Sequence, residues 1–523
     1  MERRTFLTTG LSALALFGTR RETFAAPGPA TTGLAPARPN TIGKIVGNLA
    51  RGLSRRPYQA PATRLPAALA EMDYDAYGEV RFRPEKAVWH DEDLGFELQF
   101  FPAAYIYRAP VSIYLVEGGR IRKLNAERSQ FDFGSRADKI PARARLGFSG
   151  FRIHAPINRR DRYEEFLVFQ GASYFRGVGK DQQYGLSARA LALNTVGPEP
   201  EEFPDFRSFW IERPETADAI TVHALLDSPS VAGAFSFVIK PGRETTQDVT
   251  AVLYPRRDLD NVGIAPLTSM FLKSPHDAEG PPDFRPSIHD SDGLAAWNGN
   301  DERIWRPLLS PPNFEVSNFR DTDPKGFGLI QRERRFEEYQ DLEARYELRP
   351  SAWVSPVDEW GAGGVELAEI PTQVEYDDNI VAYWRPEETL RAGHSFRYGY
   401  RLAWGGDVPA SKRMRVDKTR IGAGSQSGAL RFVVDFAENR SVERVAGNTA
   451  VLLDAAGSGP LDAHLSSSAG TVRGPYVQLN PHLPGTRVVF EFDPGDEKVV
   501  EFRLSLTSMG EPMSEVWLYR WCA

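Results

Sequence analysis

Apolar and polar residues alternate with a period of two along most of this chain. That spacing turns one face of an extended strand into a core and the other outward. Gly95-Phe96-Glu97-Leu98-Gln99-Phe100 is one such run. Residues 111–116 form another, which leads into Glu117-Gly118-Gly119-Arg120, a hairpin-turn signal. The pattern recurs at 165–170, 220–226, 234–239 and 249–254. Helical spacing is scarce: Ile42, Val46, Leu49 and Leu53 mark one short amphipathic helix, and residues 66–72 mark a second. So few helical segments between strands argue against a βαβ fold. The expected class is all-β, with a large many-stranded antiparallel β-sandwich over residues 41–403.

At 523 residues the chain exceeds one ordinary core, so a second domain is expected. Residues 404–412, Trp-Gly-Gly-Asp-Val-Pro-Ala-Ser-Lys, have linker composition. Strand patterns then follow at 430–436, 449–453, 487–492, 499–506 and 516–521, which suits a small immunoglobulin-like sandwich over 413–523. The other end carries an address. Arg3-Arg4 followed by Phe6-Leu7 is the core of a Tat-type export signal, here read over residues 1–25. Its apolar stretch is too short to span a bilayer, and no later segment reads as transmembrane. Residues 26–40, rich in Ala, Pro, Gly and Thr, read as a flexible lead. The mature chain is therefore expected in the periplasm, without membrane insertion.

Composition narrows the chemistry. A net charge of −7 argues against nucleic acid as a partner and offers no polybasic membrane patch. Cys522 is the single cysteine, so no disulfide or zinc–cysteine framework can form within one chain. The eight histidines show no metal-binding spacing. No metal or organic cofactor is implied.

Three segments concentrate groups that a packed core would not choose. They are His289-Asp290-Ser291-Asp292-Gly293-Leu294 with Trp297, Trp305 and Arg306 beyond it, Tyr346-Glu347-Leu348-Arg349-Pro350-Ser351-Ala352-Trp353, and Glu375-Tyr376-Asp377-Asp378-Asn379 running into Trp384. Indole and phenol rings can stack on a sugar's C–H face, while carboxylates and arginine bind its hydroxyls. Glycoside cleavage also needs two carboxyls, one giving a proton and one removing it from water. The same Asp-Ser-Asp-Gly and Asp-Asp-Asn strings make ordinary turns, and single tryptophans are commonly core residues. Residue pattern alone leaves sugar site and turn both open.

Longer strings go further. Tyr74-Asp75-Ala76-Tyr77-Gly78, Val168-Phe169-Gln170-Gly171-Ala172-Ser173-Tyr174-Phe175-Arg176, Tyr184-Gly185-Leu186-Ser187-Ala188-Arg189, Leu348-Arg349-Pro350-Ser351-Ala352-Trp353-Val354 and Asp378-Asn379-Ile380-Val381-Ala382-Tyr383-Trp384 resemble the periplasmic glucan biosynthesis proteins of the G and D types (OpgG/OpgD, also MdoG/MdoD). The resemblance runs from about residue 70 to 400, and the Tat-like signal favours the D-type branch. It implies a two-sandwich fold and a role in making osmoregulated periplasmic glucans with a β-1,2-linked glucose backbone. It further implies an inverting endo-β-1,2-glucanase, with Asp378 as general acid and Asp290 as general base. Asp292 and Asp377 are the nearest rivals for those roles, and Tyr346, Arg349, Trp353, Trp384 and Trp305 are candidate sugar-binding residues. Transglycosylation or cyclisation at the same site, and a non-catalytic glucan-binding scaffold for a membrane glucosyltransferase, are the alternatives. A homodimer is left open.

Overall fold

The computed structural model describes residues 41–523 apart from 64, 136–139, 142, 143, 145, 278–281, 407, 408, 410 and 438–459. The export signal, the lead and the strand expected at 449–453 lie outside the described residues.

Two large sheets make the main body. One has ten strands, with Glu97–Pro102 at one edge and Glu315–Thr322 at the other. The second has fifteen and runs from Asp462–Ser467 to Arg120–Lys123. Strict alternation builds these faces: Thr245–Pro255 buries every second side chain along its length. The inner faces meet through phenylalanines. Phe151 and Phe169 of the first sheet stand 5.0 and 5.6 Å from Phe209 of the second, and Phe175 stands 5.3 Å from Phe237. Aromatic side chains bury large areas, which makes this interlock the main cohesive force between the sheets.

The all-β sandwich is as expected, with one refinement. Among the described strands pairing is antiparallel except where Ser112–Glu117 runs parallel to Asp205–Glu212 and where Arg303–Pro307 runs parallel to Val516–Cys522. The Gly118-Gly119 hairpin is confirmed: Glu117 pairs with Arg120, and both glycines have positive φ, 54° and 76°. That is the conformation a two-residue hairpin of this twist requires.

Helices are few and short, as the pattern predicted. Thr41–Ser54 buries Ile42, Val46 and Ala50, whereas Leu49 faces outward. Ala67–Ala70 forms within the second predicted segment. A third helix, Tyr74–Glu79, starts where Asp73 accepts a hydrogen bond from the Ala76 backbone N–H at 2.8 Å.

The C-terminal sandwich packs a four-stranded sheet, Arg415–Ala423, Leu430–Ala437, Gly485–Asp493 and Thr471–Leu479, against Asp462–Ser467, Val499–Ser508 and Val516–Cys522. Phe432, Phe490, Phe502 and Trp517 form its core. The expected boundary at 404–412 needs correction. Strand Phe396–Gly405 continues through its first two residues, and Trp404 is fully buried, donating to Gln247 Oε1 at 2.8 Å. Linker composition misled there because the indole belongs to the main core. The parallel pairing of Val516–Cys522 with Arg303–Pro307 also makes one sheet pass through both sandwiches.

Candidate functional site

Asp290 and Asp378 lie 88 positions apart and are drawn together by one short strand, Phe271–Lys273. On one side it pairs with Ile288–His289, and the Asp290 backbone N–H donates to Met270 O at 2.8 Å. On the other side the Asn379 side chain clamps it. Its Oδ1 accepts from Phe271 N at 2.8 Å, and its Nδ2 donates to Phe271 O at 2.9 Å and Ile370 O at 3.0 Å. Each aspartate is thus one residue from a backbone anchor on the same strand. Asn379 satisfies buried main-chain groups that no strand partner reaches, which is why an amide stands there.

The two carboxyls meet different surroundings. Asp290 is buried and ion-paired with Arg349 Nη1. The Arg349 guanidinium lies 4.2 Å above the Tyr346 ring and also donates to Ala344 O. Asp378 stands part-exposed. Burial raises its carboxyl above the usual aspartate range, Arg176 and Arg189 pull it down, and the neighbouring Asp290 and Asp377 carboxylates push it up. The net direction is upward, toward a protonated acid.

A cleft lies within electrostatic reach of Asp378. Its inner part, about 250 Å³, is lined by Tyr74, Tyr77, Tyr105, Tyr107, Tyr174, Tyr184, Phe101, Phe175 and Arg176, with Glu165 and Gln170 among them. Tyr74, Tyr77 and Phe101 continue into an outer groove of about 1050 Å³ that reaches His90, Glu97, Arg152 and Tyr163. Rings succeed one another along the wall: Tyr77 is 6.0 Å from Tyr105 and 5.7 Å from Tyr107. Gln170 Nε2 donates to Tyr77 Oη at 2.8 Å and fixes that ring. Burial pushes the Tyr174 phenol up to about 12, so it remains a hydrogen-bond donor at neutral pH. The Asp378 carboxylate also raises the Tyr107 and Tyr174 phenols, which puts Asp378 within electrostatic reach of the cleft wall. Tyr184 connects the cleft to the Arg349–Asp290 pair. Gln183 N donates to Leu348 O at 3.0 Å, and a Cβ on Gly185 would come within 2.9 Å of the Arg349 side chain.

The remaining sequence candidates do other work. Asp292 Oδ2 accepts from the backbone N–H groups of Arg332 and Glu333, the latter at 2.7 Å, so its carboxylate is committed to that segment. Asp377 accepts from Thr372 Oγ1 at 2.9 Å. Tyr346 is fully buried, its hydroxyl donating to Glu375 Oε2 at 2.8 Å. Trp384 is fully buried in the main core, and Trp305 and Trp353 are buried in the core shared with the C-terminal sandwich. None of these three indoles is a sugar platform, because a stacking ring must present a free face. Arg349 reaches the site through Asp290, not as a surface group. The tyrosines were the missed signal. Pairs at 74/77 and 105/107 stood in plain view, and a phenol, apolar at its face and polar at its tip, suits a half-open wall better than a large indole does.

The profile described as "Periplasmic glucan biosynthesis protein, MdoG" matches residues 43–521, nearly all of the described chain. The chain belongs to this family. Relatives of the MdoG family support the assignment along the whole length. "Glucans biosynthesis protein G" of Rhodopseudomonas palustris strain BisA53 is 46% identical over 491 residues, covering 93% of this chain and 95% of its own. The protein of the same name from R. palustris strain CGA009 is 45% identical over 523 residues, covering 100% of both chains. That of Vibrio cholerae O395 is 44% identical over 481 residues, covering 91% of this chain and 86% of its own.

These names correct the D-type expectation. A chain named G aligns with this one over 523 residues, covering 100% of both, so the preference for the D-type branch does not hold. An export signal is an address read by a receptor and is independent of the fold it carries. A galactose mutarotase related enzyme from Lactobacillus acidophilus, 12% identical, covers 50% of this chain and 94% of its own with a TM-score of 0.22, and carries no argument. Among the described residues no cluster of three or more metal-binding side chains occurs, and no helix is long and apolar enough to cross a membrane.

Proposed function

We propose that this periplasmic protein of the MdoG family is an inverting endo-β-1,2-glucanase that sets the backbone length of osmoregulated periplasmic glucans. The observation that carries the reading is the unequal carboxyl pair, with Asp378 in electrostatic reach of a tyrosine-lined cleft. Asp378 is raised by burial and by Asp290, while Asp290 is held in an ion pair with Arg349. A carboxyl raised toward its protonated form beside one held in an ion pair suits the two to acid and base work. In the reaction Asp378 delivers its proton to the departing glycosidic oxygen, and Asp290 takes a proton from the attacking water. Water enters on the face opposite the leaving group, so the anomeric configuration inverts. Arg349 fixes the orientation of Asp290. The phenol faces of the cleft supply stacking surfaces, and their hydroxyls with Gln170 and Arg176 supply polar contacts to glucose.

The test is to incubate the mature protein with linear β-1,2-glucan and weigh the products by mass spectrometry. Shorter linear chains carrying one added water are expected. Products lacking a water would replace hydrolysis by cyclisation, and an intact glucan that nonetheless binds would leave a scaffold for a membrane glucosyltransferase.

The pH profile gives a second check. A general acid must be protonated, so kcat falls as pH rises through the Asp378 pKa. Arg176 draws that pKa down, so Arg176→Met raises it and moves the high-pH limb of kcat upward. A limb that stays in place or moves down would remove Asp378 from the acid role.

A further inference from the structure

The segment Gln331-Arg332-Glu333 is gripped from two sides. Toward the candidate site, Gln331 Oε1 meets His289 Nδ1 at 3.0 Å, and its Nε2 donates to the carbonyls of His289 and Tyr346 at 3.0 and 3.1 Å. The backbone N–H groups of Arg332 and Glu333 both donate to Asp292 Oδ2. Asp290 therefore sits between two residues, His289 and Asp292, that this segment holds. Toward the C-terminal sandwich, the buried Arg332 makes a bidentate ion pair with the buried Glu515, Nη1–Oε2 2.9 Å and Nη2–Oε1 2.8 Å, and donates to Val416 O. Its guanidinium lies 3.6 Å above the Trp305 ring. Lys418 Nζ reaches Glu333 Oε2 at 2.6 Å. Burial alone would raise Glu333, but hydrogen bonds from Arg335 and Lys418 outweigh it and hold the carboxyl at about 2.

We infer that Arg332 and Glu515 are positioning residues for Asp290, and that the C-terminal sandwich completes the active site by holding the base segment in place. The inference rests on the reading of Asp290 as the base. A bidentate Arg–carboxylate pair fixes direction as well as distance, which suits it to transmit position rather than only to bind two units together. Small displacements of a reacting group are costly: about 1 Å can lose 10²-fold in rate.

The test compares Glu515→Gln with Arg503→Met. The latter removes the Glu302 contact between the same two sandwiches, away from this bridge. Kinetics on β-1,2-glucan are read at 25 °C, well below melting, together with the nitrogen NMR signals of the His289 ring in selectively labelled protein. In Glu515→Gln, kcat is expected to fall about tenfold with KM within about twofold. The His289 signals shift, while Arg503→Met leaves both readouts unchanged. If Glu515→Gln does not fold, Lys418→Met probes the same bridge from Glu333 with the same expectation. A variant that only melts earlier, with kcat and the His289 signals unchanged, would overturn the inference, as would an equal loss of kcat in Arg503→Met. Should the wild-type protein leave the glucan intact, the hydrolase reading falls. The His289 signals then decide the positioning alone: a shift in Glu515→Gln and not in Arg503→Met sustains it, and no shift ends it.

Discussion

Asp378→Asn is expected to lower kcat on linear β-1,2-glucan by about 10²–10⁴-fold, the usual worth of a positioned general acid. The amide has the shape of the acid but cannot surrender a proton to the leaving oxygen. Glucan binding, measured by calorimetry, should change little because the tyrosine wall is untouched. Stability should hold or rise, since a carboxyl that burial and Asp290 both disfavour as an anion has been replaced by a neutral group. Asp290→Asn should lose activity as well but behave differently on heating. It leaves the buried Arg349 guanidinium without its anionic partner, so the melting temperature should fall. The two variants separate acid from base by their stability, not only by their rates. Unchanged turnover in Asp378→Asn would sink the mechanism.

Arg306→Met should destabilise the fold by about 3–5 kcal/mol, as expected when one member of a buried ion pair is removed. Arg306 Nη2 meets Glu369 Oε2 at 3.0 Å, and both side chains are 1% exposed. Without the guanidinium, Glu369 keeps the backbone N–H of Leu309 at 2.8 Å. Burial raises the Glu369 carboxyl, and Arg306 is the largest influence opposing it. The sign of the pH effect follows. With a folded pKa above the unfolded one, the native state binds more protons, and this group's contribution to stability falls as pH rises. The penalty in Arg306→Met is therefore greatest at neutral pH. It shrinks as pH falls through the folded pKa and is least below the unfolded value of about 4.3. Denaturant titrations at neutral and acidic pH check this. The paired change Arg306→Met with Glu369→Leu should recover most of the loss, because no charge is then left buried alone. A loss that is the same at both pH values would show that packing, not charge, holds the two strands together there.

Strands were the most legible part of the chain. The run at 249–254 was read from its alternation, and the strand observed, Thr245–Pro255, extends that alternation at both ends. Gly118-Gly119 was equally plain, because a two-residue hairpin needs backbone angles that glycine adopts without strain. Leu49 shows the limit. It matched helical spacing but turned outward, since the sheet surface beneath the helix has room for the small Ala50 in its place. Trp404 shows another, because flanking glycines outweighed an indole that the main core had claimed.

Local order sufficed to determine the all-β class, the hairpin at residues 117–120 and the short helices, because period and turn chemistry act over a few residues. The family resemblance likewise singled out Asp290 and Asp378 as candidates. Only the tertiary structure decided what surrounds them. It brought both aspartates to one strand, Asp378 through the Asn379 clamp and Asp290 through the Ile288–His289 pairing, set Arg349 on Asp290 and left Asp378 between cations and carboxylates. It also sent Trp305, Trp353 and Trp384 into cores and gathered tyrosines from residues 74 to 184 into a cleft. Burial and electrostatic neighbours are properties of packing between segments far apart in the chain. A period read along one segment carries no information about what the facing segment will be.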